Sequence, residues 1–227
     1  MVSARGNRAG RYAAAASVRM TALLRCRGSL AEIAGLFGAE AARLAWTPEI
    51  WLGEPVLIVV VAEGGRRLET VRWGLPTAAF ANPRRPKARR GTLFSRDLVR
   101  ATGTLDDPAA LGRCLIAVES FAYPDGPPGR KTRAWAGLWD TPLAAWAGVW
   151  SEFGGEAGCA GLLTPANERI GAVSRSMPVL LAPEDHDGWL GGPGWLLGAT
   201  PIVADAAFYL ERTDEHWSTG VPLAERR

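Results

Sequence analysis

Apolar residues fall in short runs broken by glycine, proline and charge, and their period changes from helical to extended early in the chain. Ser29-Leu30-Ala31-Glu32 has the form of a capping box, and Ile33, Leu36 and Phe37 follow at helical spacing, so a helix is expected from Leu30 to about Leu44. Pro55 to Val61 and Glu69 to Leu75 have strand patterns around Glu63-Gly64-Gly65, which supplies turn chemistry and predicts a β-hairpin. Arg113 to Phe121 is a strand by its Cys-Leu-Ile-Ala-Val centre, followed by a proline- and glycine-rich connection from Pro124 to Gly129 and strand patterns at Arg133 to Leu138 and Ala144 to Trp150. Gly161 to Leu181 predicts a strand, an asparagine-containing turn or short helix, and a second strand. A short helix starts at Pro183 and stops near Gly191. Without regular βαβ alternation, this pattern predicts an α+β fold rich in antiparallel sheet.

The 227 residues suit one main domain, with a leader over 1–19, a domain over 20–210 and a tail over 211–227, and the stretch from Ala199 on is expected to add little. The longest apolar run, Val56 to Ala62, falls far short of the ~20 residues of a membrane span. Arg5, Arg8, Arg11 and Arg19 flank Ala13 to Ala16, too short and too weakly apolar for a secretory core, which makes a cytoplasmic protein the expectation. Cys26, Cys114 and Cys159 have no metal-ligand spacing and His186 and His216 lie far from them, so neither a metal site nor a cofactor is expected. Cys114 suits a buried apolar position and His186 an exposed helix start. Ten tryptophans need packing or a ligand to cover them. Trp46, Trp51, Trp135, Trp139, Trp146 and Trp150 are assigned to core or sheet packing.

The net charge of +3 is too small to argue for a polyanionic partner, but its distribution is uneven. Arg84, Arg85, Lys87, Arg89 and Arg90 place five cations in seven positions among prolines, as in an extended loop able to bind an anion.

Five segments in order carry a family resemblance: Arg72-Trp73-Gly74-Leu75, Lys87-Ala88-Arg89-Arg90-Gly91-Thr92, Arg113-Cys114-Leu115-Ile116, Ala147-Gly148-Val149-Trp150 and Ser174-Arg175-Ser176-Met177-Pro178-Val179. Together with Ala166-Asn167 they resemble the Trp-Gly-Leu, Asn-Ala-Arg-x-Glu-Thr, Arg-Cys-Leu, Ala-Gly-Leu-Trp and His-x-Arg-Met-Pro motifs of the SOS-response-associated peptidase (SRAP) family, over roughly Met20 to Leu190. The resemblance implies a barrel-like α+β domain, a positive groove for single-stranded DNA, and a covalent link to abasic sites made by an N-terminal cysteine.

Four of the five chemical positions that the resemblance marks are altered here. The cysteine falls on Thr21 behind Met20, the glutamate on Tyr123, the histidine on Ser174 and the asparagine on Lys87, while Arg89 keeps its type. Tyrosine, with a pKa near 10, is a poor base at neutral pH. Three functions follow as expectations. The first is a degenerate, monomeric member that binds single-stranded or abasic DNA through Trp73, Arg84, Arg85, Lys87, Arg89 and Arg90 without a durable crosslink. In that reading arginine matches phosphate and tryptophan stacks an unpaired base. The second is a crosslinker or auto-peptidase working through a processed N-terminal Thr21. The third is a scaffold taken over for a protein or small-molecule partner.

Overall fold

The computed structural model describes residues 23–75, 91–94, 111–153, 155–191 and 205–223. Strand β1 (Leu23–Arg25) leads into helix α1 (Leu30–Phe37). The helix starts at Ser29 because its hydroxyl accepts from the Glu32 amide while the Glu32 carboxylate accepts from the Ser29 amide at 2.8 Å. It ends well before Leu44 because Gly38 takes the left-handed conformation, φ 55°, and turns its amide back to the Ala34 and Gly35 carbonyls. Three strands follow, β2 (Ala39–Ala41), β3 (Glu49–Trp51) and β4 (Pro55–Ala62). The last forms the expected hairpin with β5 (Gly65–Trp73), turning at Glu63-Gly64 with Ala62 opposite Gly65.

Strand β6 (Thr92–Phe94) precedes β7 (Gly112–Val118) and β8 (Ser120–Asp125), which divide at Glu119 what the sequence presents as one strand. Pro124 and Asp125 belong to β8, paired with β9 (Thr132–Leu138), so the connection is shorter than its proline content suggests. Next come β10 (Ala144–Phe153), β11 (Glu156–Pro165) and helix α2 (Glu168–Gly171), capped by the Asn167 side chain. After β12 (Ser176–Pro178) and β13 (Leu180–Leu181), a single 3-10 turn at Pro183–Asp185 opens helix α3 (His186–Gly191). The tail is a correction. Strand β14 (Phe208–His216) crosses the expected boundary at 210 and pairs along β9, followed by a turn in which Glu215 bridges Pro222.

Strands β11, β10, β7, β4 and β5 pair in sequence, and the parallel contact of Arg72 and Trp73 with Gly158 and Cys159 closes them into a barrel. The fold is therefore α+β and sheet-dominated. A second sheet, in the order β14-β9-β8-β1-β3, lies against it. Side chains alternate across that sheet: Leu24, Phe121, Tyr123, Ala136 and Phe208 join the main core, whereas Leu23, Ala122 and Trp135 form a small outer cluster with Trp51 and Trp217. His186 is buried, not exposed, and its ring stacks on Phe37 at 5.7 Å.

Candidate functional site

Tyr123 and Ser174 lie 51 positions apart (174 − 123) and come together at one acceptor. Strand β8 carries Tyr123 into the core, where its phenol donates to the Ser176 carbonyl oxygen at 3.1 Å. The same oxygen accepts from the Ser174 hydroxyl at 2.8 Å, and that hydroxyl in turn accepts from the Ser176 amide at 3.2 Å. The local cause is α2. Asn167 caps it by accepting from the Ile170 amide at 2.9 Å, and the Ser174 amide returns to the Ile170 carbonyl, so the chain folds back and lays β12 beside β11.

The arrangement is closed and polar. Tyr123 is 1% exposed, and burial pushes its phenol well above the usual range, which fixes it as a neutral donor throughout the biological pH range. Ser174 has no base beside it in this set. Two further buried atoms face no partner, the Ser176 hydroxyl and the Asn167 side-chain amide nitrogen. Neither Ser176 nor the inward role of Asn167 was singled out from the sequence. The Ser-x-Ser spacing was the available signal, because a serine hydroxyl readily bonds backbone groups two residues on.

Trp73 is not an exposed platform. The indole is fully buried at the end of β5, donates to the Gly91 carbonyl at 2.8 Å and meets Trp146 edge to face at 6.3 Å. Gly91 permits this approach, since a Cβ there would stand 2.5 Å from Leu52 Cδ1 and 2.9 Å from Trp73 Nε1. Trp73 has no free face for a base, so its part in the motif is structural. Thr21, Arg84, Arg85, Lys87, Arg89 and Arg90 lie outside the described residues. The described chain begins at Leu23, opposite Ala122 and so one position from Tyr123 along β8.

All three cysteines are buried and free. Burial, with Glu119 adding to it, pushes the Cys26 thiol up to about 12, and burial likewise raises Cys114 and Cys159, so none is a thiolate nucleophile at neutral pH. Among the described residues no three ligating side chains are grouped to hold a metal, and no helix is long and apolar enough to cross a membrane.

With this geometry in place, the sequence matches the family model of the SOS response associated peptidase (SRAP) over residues 10–202. The chain belongs to the SRAP family. Its fold is also that of several solved structures. A protein from Bordetella bronchiseptica superposes with a TM-score of 0.69 at 14% identity, covering 85% of this chain and 99% of that one. A protein from Bacteroides thetaiotaomicron gives a TM-score of 0.69 at 11% identity over 84% and 90% of the two chains. A phage-related protein from Bordetella bronchiseptica gives 0.63 at 16% identity over 88% and 99%. At such identities the likeness concerns the fold alone. No curated protein matches the chain in sequence.

Proposed function

We propose that this SRAP protein binds single-stranded or abasic-site DNA in the response to DNA damage and forms no durable crosslink with it. The observation that carries the second half is the shared acceptor: the positions matching the family's glutamate and histidine are a phenol and a serine, both spent on the Ser176 carbonyl. A phenol held far above neutral pH takes no proton from a nucleophile, and a hydroxyl already donating to a carbonyl is poorly placed to shuttle one. DNA binding is supported by family membership and by the cations at 84–90, which offer charge to a phosphate backbone without reading sequence.

Gel shifts at moderate salt test the binding. A single-stranded oligonucleotide is expected to shift ahead of its duplex, the affinity to fall as salt rises, and Arg89→Ala to weaken it. Borohydride treatment of a mixture with abasic single-stranded DNA tests the chemistry, with a transient, trappable imine as the most that is expected. An adduct that survives heating without borohydride would overturn the non-crosslinking reading. It would favour instead a processed Thr21, a reading that rests on Met20-Thr21 matching the family's start.

A further inference from the structure

The small sheet carries a second polar concavity on its outer face, the face opposite Tyr123. Arg25 and Ser120 are paired neighbours there, and with Glu119, Trp135, Tyr209 and α2 they border a cleft of about 450 Å³. Trp139, just past the end of β9, leans on Tyr209 with ring centres 5.3 Å apart and is 66% exposed, the one tryptophan so open among those described. Facing it are fixed cations. The Arg25 guanidinium lies 3.7 Å over the Trp135 ring and is held by Glu49 at 2.7 Å. Arg27 pairs with Glu119 while remaining 60% exposed, and Arg169 and Glu211 complete the rim.

We propose that this cleft binds a nucleotide, with the base stacked on Trp139, its amino edge toward Glu119 or Glu211, and its phosphate toward Arg27 and Arg169. Each part answers one need of that ligand. An exposed indole offers a face to any base, guanidinium forks match phosphate oxygens, and a carboxylate accepts from an exocyclic amine. An acidic peptide would meet Glu119 and Glu211 with like charge, and a plain hydrocarbon would desolvate the arginines with nothing in return. Past Tyr209 and the Arg27 to Glu119 pair the surface opens into an apolar cavity of about 820 Å³ bordered by Ile33, Leu36 and Leu143, so the nucleotide has room to be one unit of a strand as well as a free molecule. The site is separate from the one around Tyr123, and it stands apart from the DNA-binding reading except where the nucleotide comes from a strand.

Titration of the full chain with dGMP, dTMP and a 15-mer oligonucleotide, followed by calorimetry, tests the proposal and its two sources. Saturable binding of dGMP is expected, stronger than that of dTMP, which lacks an exocyclic amine. Trp139→Ala should weaken it about tenfold, Trp139→Phe should recover most of the loss, and Glu211→Gln should narrow the preference for dGMP. Binding of the 15-mer that also falls in Trp139→Ala identifies a strand as the source, whereas dGMP binding alone identifies a free nucleotide. If the 15-mer binds equally to wild type and Trp139→Ala, is lost in Arg89→Ala, and dGMP does not bind, the cleft proposal is overturned and the DNA reading stands. If dGMP binding tracks Trp139 and no oligonucleotide binds, the DNA reading falls and the cleft stands. Absence of any Trp139-dependent binding overturns the proposal outright.

Discussion

Trp139 and Trp146 flank one turn, Trp139 just after β9 and Trp146 inside β10, yet they meet opposite fates. Trp146 is fully buried in the barrel wall, donates to the Leu162 carbonyl at 2.6 Å and lies over Gly161, where a Cβ would collide with the indole. Trp139 is mostly exposed, at the rim of a sheet face built from arginine, glutamate and aromatic rings. The barrel side uses glycine to make room for rings, so it is closely packed. The outer side uses ion pairs to hold rings in place. Arg133, 4% exposed, bonds Glu49 at 2.9 Å and the Trp217 carbonyl at 3.2 Å, and lies within 6 Å of both Trp51 and Trp135. One region is arranged for stability and the other leaves chemical groups facing solvent.

That contrast can be broken most sharply at Trp146. Trp146→Ala removes a fully enclosed ring and should cost about 3 to 5 kcal/mol in urea denaturation, enough to leave the protein marginal. On the outer face the largest effect belongs to Arg133→Ala, which strips the shared partner from two half-exposed carboxylates and should cost about 2 to 3 kcal/mol, somewhat less than breaking a fully buried pair. A loss under about 0.5 kcal/mol would mean that the outer face is not independently anchored. Tyr123→Phe keeps the ring and removes one of two donors to Ser176, so it should cost only about 1 kcal/mol.

A pH series adds a smaller effect. Burial first, and then the charge of Arg66, lower the pKa of His186 below its ordinary 6.5, with a backbone hydrogen bond to Leu181 and the charges of Asp187 and Asp185 opposing the shift. The neutral ring is therefore the form that the folded state prefers. Stability from this group is complete above 6.5 and declines as pH falls below 6.5 through the folded pKa, because the unfolded chain takes up the proton more readily. Thermal melts between pH 7.5 and 5.5 should show this slope, and His186→Phe should flatten it. The smallest expected change is that of Trp139→Ala, within about 0.5 kcal/mol of wild type, because little packing is lost. A larger loss would erase the distinction between the two tryptophans.

Where signals were local, sequence and structure agree. The capping box at Ser29, the Glu63-Gly64 turn and the proline-started helix at 183 act through neighbours within a few residues. Sequence and structure part where a distant partner decides. Gly38 outweighs the apolar residues beyond it, since its left-handed backbone ends α1 and frees Ala39 to Ala41 to pair with β5. The segment over 211–227 looks like a tail, yet β9 offers an edge along which β14 runs to His216. Trp73 shows the same limit in the site. An indole beside a cationic loop resembles a stacking platform until Gly91 and Trp146 close over it.

The sequence by itself determined the capped start of α1, the β4–β5 hairpin and the sheet-rich class, because short-range pattern carries that information, and its ordered motifs carried the family resemblance. Tertiary structure alone decided that Tyr123 and Ser174 share one carbonyl, that the barrel closes through β5 and β11, and that Trp139 stays open while Trp73 does not. Burial and hydrogen-bond partnership belong to pairs of residues far apart in the chain, and a residue's own identity does not say which distant neighbour will cover it.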